Sequence, residues 1–466
     1  MSTDSAARLP AGPFRPGRLP PVSRLLIPVL LAVSGCVTYE EAPLDAEAIL
    51  LELDRRTWDS GGGDAAARAT PRQFAAFAVS RNPVLEAARR ELGVGEALLV
   101  QAGLLPDPLL GWDAMDLLAS QIVEGRSGAV DVLSGLQLEL PLLRPGERDA
   151  RVGVARWRLE EARARVLEAE WRLTSAVLVA AENLAEARQL LARSSELLEI
   201  AGHTRDWFQR AREAGAATAI QARIAELDLL AIEADRIRLE ARERQDRQRL
   251  AALLGLPPEA DLPEPDLEEV RSPGGTLQDL VEEALDRRPD LLALRAAYQA
   301  AEEGLRLEIA RQFPLLAVGT GFSFIPGILS RFNRPAIDAA LARRATMQAS
   351  FQAQVHEVRR EIHDAWAALE EARREQSFMD SRLLTTAEDG LELARQAFEA
   401  GEATVLETLN LQRSVVDARI RATQARAELR RRQWLLLAAT GWLPVLLPPP
   451  EMAEIPDDDL QPGVRQ

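Results

Sequence analysis

The sequence contains no lysine: all 56 basic residues are arginine, and 72 acidic residues bring the formal net charge to −16. Such an acidic chain is a poor partner for nucleic acid, because binding there depends on neutralising phosphates. A single cysteine, Cys36, excludes intramolecular disulfides, and with only three histidines it also excludes thiolate zinc clusters. Aromatic residues make up only 5% of the chain, while Ala, Leu, Arg and Glu are abundant. This composition favours long helices over β-sandwiches.

The sequence also lacks a transmembrane helix, because no stretch reaches about 18 uninterrupted apolar residues. Four arginines precede the short apolar run Leu25–Ala32, which leads into small residues directly before Cys36. This order resembles the bacterial lipoprotein signal, in which the cysteine is lipidated after cleavage. The resemblance implies a lipoprotein signal peptide over residues 1–35 and a lipidated N-terminal linker over residues 36–69. An ordinary signal peptide with an incidental cysteine is the alternative.

Proline is absent from two long stretches, one between Pro145 and Pro257 and one between Pro335 and Pro444. Because proline breaks helix interiors, stretches of this length predict two long helical hairpins. A helical arm of about 60 residues would be about 90 Å long. Between the two stretches, residues 258–276 are rich in proline and acid, which predicts a linker.

The two proline-free stretches belong to two repeats of one pattern. Matching segments occur in both halves in the same order, first 206 and then 186 residues apart. The pairs are Ala78–Pro83 with Ala284–Pro289, Pro108–Leu110 with Pro314–Leu316, Ala214–Thr218 with Ala400–Thr404, and Gly255 with Gly441. The second repeat is therefore 20 residues shorter somewhere between Pro314 and its own hairpin.

Several phrases in this sequence resemble the outer-membrane efflux proteins, the TolC-like exit ducts of Gram-negative bacteria. The phrases are Arg81–Arg89, Gln101–Pro108, Leu138–Gly146 and the repeated Ala-Gly-x-Ala-Thr elements. The resemblance extends from about Pro71 to Pro444. Within the family, the Asn-Pro and Gln-Ala-Gly-Leu-Leu-Pro phrases are most similar to the heavy-metal branch of the CzcC and CusC type.

The resemblance implies a mainly α fold with two tandem repeats of long antiparallel helical hairpins, a TolC-like α-barrel. Each repeat would add a β-hairpin to a shared outer-membrane barrel. The first repeat would cover residues 70–257 and the second residues 277–444, and the Pro- and Asp-rich tail 445–466 is predicted to be disordered.

The same resemblance implies function and partners. The chain would form a homotrimer, anchored by lipid in the outer membrane of a Gram-negative bacterium and lying mostly in the periplasm. Its periplasmic end would meet an adaptor protein and an inner-membrane pump. It would then be the exit duct of a tripartite efflux system, passively conducting small molecules or metal ions to the outside.

The 20 missing residues weaken this interpretation at one point. Only 11 residues lie between Pro314 and Pro326, whereas two membrane-spanning strands need about 18 to 22 residues. The second β-hairpin is therefore expected to be truncated. This departure keeps a second hypothesis open, in which the chain is a lipidated periplasmic helical-hairpin scaffold that has lost the pore.

The repeated Ala-Gly-x-Ala-Thr elements place the candidate tip turns at Gly215 and Gly401, because a turn between antiparallel helices needs a residue tolerant of positive φ. The resemblance implies that acidic side chains six and nine positions after the second tip glycine constrict the tube. Those positions hold Glu407 and Asn410, the candidate gate. Three copies of Glu407 around a threefold axis would repel one another and raise their pKa. A solvated helix glutamate is the alternative.

No catalytic pattern is present: the sequence has no Gly-rich phosphate loop, no Ser-x-x-Lys and no nucleophile elbow. His356 and His363 are seven residues apart, which is not the four-residue spacing of a helical zinc motif. We therefore expect no enzyme activity, no cofactor and no metal site.

Overall fold

The computed structural model describes residues 39–58, 68–112, 136–319, 322–325 and 331–443. Cys36, the predicted signal peptide 1–35 and the predicted tail 445–466 lie outside these ranges. Contacts divide the chain into a unit of residues 1–52 and a unit of residues 53–466. In the described part of the first unit, residues 39–45 have no regular secondary structure and precede helix α1 (Ala46–Asp54), which ends just beyond the unit.

The described part of the first half of the chain that follows α1 contains two shorter helices, three strands and one long helical hairpin. Its elements are β1 (Arg68–Ala69), α2 (Pro71–Arg81), α3 (Pro83–Gly103), β2 (Leu109–Trp112), β3 (Leu136–Leu142), α4 (Glu147–Glu213) and α5 (Ala219–Leu254). Helix α4 has 67 residues, so it is about 100 Å long. The proline-free stretch of this half is thus a helical hairpin, as predicted.

The second repeat has the same order of elements. They are β4 (Glu264–Pro265), α6 (Leu277–Arg287), α7 (Pro289–Ala310), β5 (Leu315–Gly319), β6 (Phe322–Ile325), a 3-10 turn (Arg331–Asn333), α8 (Arg334–Phe378), a π-helix (Met379–Leu384), α9 (Thr385–Glu399) and α10 (Val405–Ala439). The mainly helical fold of two tandem repeats is therefore confirmed. In the described part of the chain, no helix is both long and apolar enough to cross a membrane.

The strands of the two repeats form one four-stranded antiparallel sheet in the order β2-β3-β5-β6. The repeats meet where β3 pairs with β5, with Leu140 opposite Val318. In the second hairpin, β5 has five residues and β6 has four. The second hairpin is thus present, and its described strands are short.

Two clusters of buried side chains form the core. The larger contains Phe74, Val177, Leu250 and Trp434, and the smaller contains residues of α6, α7, α8 and α10 such as Ile362. The segment predicted as a linker is part of the larger cluster, since it buries residues such as Leu262 and Val270 there. Its strand β4 also pairs in parallel with β1. The proline-rich segment interrupts the helices, and part of it packs against the core.

The long helices of the two repeats differ by one residue in register. Buried residues that correspond in the two helices are 185 positions apart in the sequence, as Val177 and Ile362 or Leu184 and Leu369 are. The tip glycines are 186 positions apart. One extra residue therefore lies in the second helix between Leu369 and the tip. The π-helix occupies this interval, and a π turn holds one more residue than an α turn.

Candidate functional site

The first hairpin ends in a glycine turn between α4 and α5. Gly215 has φ 74°, the left-handed region that favours glycine. The N–H of Ala216 donates to the carbonyl of Ala211 at 2.7 Å, and the N–H of Gly215 donates to the carbonyl of Arg212 at 3.0 Å. These two bonds form a Schellman motif, which satisfies carbonyls at the end of a helix.

The second hairpin ends in the same turn between α9 and α10. Gly401 has φ 79°, Glu402 N–H donates to the Ala397 carbonyl at 2.7 Å, and Gly401 N–H donates to the Phe398 carbonyl at 3.0 Å. A Cβ atom built on either tip glycine would meet nothing within 4 Å. The backbone conformation, and not crowding, therefore requires glycine at the two tips.

Both returning helices begin with a capping box. The hydroxyl of Thr218 accepts from the N–H of Gln221, whose side-chain oxygen accepts from Thr218 N–H at 2.8 Å. In the second hairpin, Thr404 and Glu407 make the same reciprocal pair, and Glu407 Oε2 also accepts from the Thr404 hydroxyl at 2.8 Å. The two capping boxes are thus equivalent except that the third helix residue is an amide in the first hairpin and a carboxylate in the second.

The candidate gate residues lie on the first turns of α10. Glu407 is exposed, and hydrogen bonds from the backbone N–H and hydroxyl of Thr404 lower the pKa of its carboxyl. Asn410 is exposed one turn further on, where its carbonyl accepts from the hydroxyl of Ser414 at 3.0 Å. Within one chain, the pKa of Glu407 therefore changes in the opposite direction from that expected for three neighbouring copies. The sequence reasoning missed this cap, although the pattern Thr-x-x-Glu was the signal for it.

An ion pair joins the distal halves of the two hairpins. The guanidinium of Arg413 on α10 donates to the carboxylate of Asp228 on α5. The side chains of Arg413 and Asp228 are 41% and 33% exposed, so solvent screens this pair in part. Closer to the core, Arg426 of α10 pairs with Asp380 of the π-helix at 2.9 Å. Charged contacts thus join α10 to α5 and to the π-helix.

Buried charges connect α4 with α10 at the level of the core. Glu182 has no exposed side-chain area, accepts from Arg430 at 2.8 Å and receives the indole N–H of Trp434 at 3.3 Å. Burial raises the pKa of the Glu182 carboxyl, and the charge of Arg430 offsets part of that rise. Glu186, one turn further along, pairs with Arg431 at 2.6 Å. The two repeats are therefore joined by paired charges inside the protein.

A second buried network lies at the start of α7. Arg288 is 2% exposed and pairs with Asp290 and Glu361, each at 2.6 Å. It also donates to the carbonyl of Ala439 at 3.0 Å and stacks over the ring of Trp171. Although burial raises the pKa of Asp290, hydrogen bonds from Arg288 and its charge lower that pKa below the ordinary value.

One side of α5 carries large apolar side chains that the rest of the described chain leaves exposed. Five of them are more than half exposed: Ile220, Ile224, Leu227, Leu230 and Ile237. We call these five residues the α5 seam. Their spacing of three, four or seven residues places them along one side of the helix. Exposed large apolar residues in a row mark a surface that another protein covers.

His356 and His363 are both exposed on α8. Among the residues that the structure describes, no group of three or more His, Cys, Asp or Glu side chains is placed to hold a metal ion.

Comparison with known proteins gives consistent matches. The family model described as "Outer membrane efflux protein" matches residues 77–256, which cover most of the first repeat. The chain is 23% identical over 360 residues to the cobalt-zinc-cadmium resistance protein CzcC of Cupriavidus metallidurans, covering 74% of this chain and 83% of the relative. It is 30% identical over 235 residues to the outer membrane protein OprJ of Pseudomonas aeruginosa, covering 44% of this chain and 47% of the relative.

The fold is also similar to solved structures. The crystal structure of CusC, reported in connection with transmembrane channel formation, superposes with a TM-score of 0.62 at 16% identity. The match covers 87% of this chain and all of that chain. The similarity to CusC concerns the fold, since its sequence identity is low.

Proposed function

We propose that the chain is the exit duct of a tripartite efflux system, because the outer membrane efflux protein family model matches most of its first repeat. In this role it passively conducts small molecules or metal ions from the periplasm to the outside, and an inner-membrane pump supplies the energy. The observation that carries the proposal is the equivalence of the two long hairpins, which share one turn geometry and one capping box at their tips. Equivalent hairpins suit a ring in which each occupies the same environment.

The α5 seam supports assembly of three copies. Each Ile or Leu in the seam would contribute about 1.5 to 3 kcal/mol if a neighbour covered it fully. Helix α9 offers apolar side chains in the distal half of the second hairpin, where Leu393 is 65% and Phe398 is 45% exposed. We assign the seam of one copy to α9 of the next copy. Three such contacts would close a ring and leave no seam uncovered.

The tips are the proposed contact with a periplasmic adaptor. The turns at Gly215 and Gly401 are exposed, and the space around them is open. Glu407 and Asn410 remain the proposed gate, on the helix that leaves the second tip. Cys36 is the proposed lipid anchor in the outer membrane, and replacing it with serine should remove palmitate from the mature chain in a labelling experiment.

One observation supports the alternative hypothesis of a periplasmic scaffold. Within the described residues, strands β5 and β6 have five and four residues, fewer than the roughly nine to eleven that a membrane-spanning strand needs. A scaffold would use the same hairpins and the same lipid anchor without conducting anything.

Ion current through planar lipid bilayers separates the two functions. We expect the purified full-length protein to give discrete current steps, and a larger current after the tip is loosened by replacing Glu407 with alanine. The contradicting result is a protein that inserts and keeps its helical content but passes no current, with either Glu or Ala at position 407. That result would support the scaffold hypothesis.

A further inference from the structure

Helix α4 carries a ladder of arginines at intervals of seven residues. Its members are Arg151, Arg158, Arg165 and Arg172. Seven residues are close to two turns of an α-helix, so successive members drift by only about 20° around its axis. The ladder therefore follows one side of α4 for about 32 Å. We call these four residues the arginine ladder.

The arginine ladder faces two recesses in the layer of long helices. The first three members line a groove of about 1070 Å³ together with residues of α3, α7 and α8. The fourth lines a second groove of about 560 Å³ between α4, α8 and α10. Arg165 and Arg172 are 68% and 67% exposed there. The ladder thus lies along the recessed side of the helix layer and in contact with solvent.

Positive charge exceeds negative charge on this recessed side. The two grooves are lined by nine arginines and five carboxylates, although the whole chain has a net charge of −16. Among the described residues that line the first groove, Arg158 and Arg343 form no ion pair with a carboxylate. These two charges are therefore not neutralised by a side chain and are available to a solute.

We propose that the recessed side is the conducting surface and that its arginines select anionic cargo over cations. This inference rests on the proposed duct function. In this ring, the α5 seam of each copy contacts the next copy. The recessed side of each helix layer then faces the axis, because a curved layer closes around its concave side. Three ladders would then surround the path. A channel wall of one charge sign raises the local concentration of oppositely charged solutes and excludes solutes of its own sign.

The consequence concerns the class of substrate. A free divalent metal cation meets an unfavourable potential along the ladder, whereas a small organic acid or another anionic solute meets a favourable one. The chain would therefore export anionic compounds, and its sequence similarity to a metal-resistance protein would reflect architecture and not cargo.

Reversal potentials in planar bilayers test this assignment. Current through the full-length protein is measured across a gradient of potassium chloride, in the wild type and in the double variant R158Q/R343Q. These two side chains have no carboxylate partner, so their removal leaves no buried carboxylate unpaired. We expect the wild type to be more permeable to chloride than to potassium, and the double variant to reduce that preference by about twofold or more. The preference should also weaken as salt rises from 0.1 to 1 M, because the screening length then falls from about 10 to 3 Å.

Arg238 provides the matched control. It is an exposed arginine on α5 that pairs with Asp235 of the same helix and lines neither groove. R238Q should leave the chloride preference unchanged. A cation-selective wild type, or a preference that R158Q/R343Q does not alter, would overturn the anion assignment while the duct function stands. Complete absence of current from inserted protein would overturn the duct function and this inference with it.

Discussion

Arg413 on the second hairpin donates to the carboxylate of Asp228 on the first, 185 residues away in the sequence. The pair joins α5 of the first hairpin to α10 of the second. Any movement that separates these two helices at this level must break it.

The first prediction concerns this pair. Asp228→Asn should favour spreading of the hairpins by about 0.2 to 1 kcal/mol, since both side chains are partly exposed. That corresponds to an increase of about 1.4- to 5-fold in the open population, which single-channel recording measures. Asp235→Asn, also on α5, removes a pair within one helix and should have no such effect. The exchanged pair D228R/R413D should return the wild-type behaviour; a double variant as open as D228N would contradict the role of the pair.

The second prediction separates the two roles of Glu407. Glu407→Gln keeps an oxygen for the Thr404 N–H, as Gln221 does for Thr218 in the first hairpin, but it removes the charge. Glu407→Ala removes both. Amide hydrogen exchange at the start of α10 should therefore speed up in E407A and stay unchanged in E407Q. If the charge also closes the gate, both variants should raise conductance and antibiotic leakage; unchanged values in both would restrict Glu407 to capping.

The cap also has a pH dependence with a defined sign. The pKa of Glu407 is lowered in the folded chain, so its contribution to stability is present above the unfolded value of 4.5 and disappears as the pH falls through the folded pKa. Hydrogen exchange at the start of α10 should therefore accelerate on acidification below pH 4.5 in the wild type, relative to the start of α5. An equal response at both starts would contradict a contribution from the carboxylate.

The third prediction uses the equivalence of the repeats. Asn82 donates to the carbonyl of Leu253, and Arg288, at the equivalent place in the second repeat, donates to the carbonyl of Ala439. The residue two positions later is Val84 in the first repeat and Asp290 in the second. R288N leaves Asp290 buried without its cation and should lower the free energy of unfolding by about 3 to 5 kcal/mol.

The double variant R288N/D290V gives the second repeat the two side chains that the first repeat has at these positions, Asn82 and Val84. It removes the orphaned carboxylate, and we expect it to recover most of the stability lost in R288N, as measured by denaturant unfolding. If the double variant is as unstable as R288N, the two repeats are not interchangeable at this contact. The variant D290N should lose less stability than R288N, because Arg288 still pairs with Glu361 and no buried charge is left without a partner.

The fourth prediction concerns the extra residue at the π-helix. Deletion of Ser381 should convert the π turn to an α turn and leave the buried faces on both sides in register, so the melting temperature should stay equal or rise. Deletion of Asp389, in the regular part of α9, turns the following residues by about 100° and moves Ala394 away from its buried position. That control should lower the melting temperature. Equal losses in both deletions would show that the π-helix does not absorb an insertion.

The sequence allowed the hairpins, the repeats and the tip turns to be predicted because each depends on local rules: proline excludes helix interiors, and Gly215 and Gly401 sit where positive φ is needed. The capping role of Glu407 was also readable from Thr404 three residues before it, but the family pattern directed attention to a gate. The short second strand pair was predicted from its length alone.

The contacts between distant parts of the chain could not be predicted. Arg288 looked like one arginine among 56, and only the fold brings it beside Glu361 and the end of α10. The pairing of Asp228 with Arg413 likewise depends on how two helices from different repeats align. The π-helix is hidden in sequence because a one-residue shift becomes visible only when buried positions such as Leu184 and Leu369 are compared.

The most direct test of the central claim is electron microscopy of the mature protein, purified from membranes in mild detergent. The exit-duct account predicts hollow particles with threefold end views and a helical part about 100 Å long, set by the length of α4. Single rods of the same length, one chain each, would contradict it, because hairpins that fold without closing a ring cannot conduct.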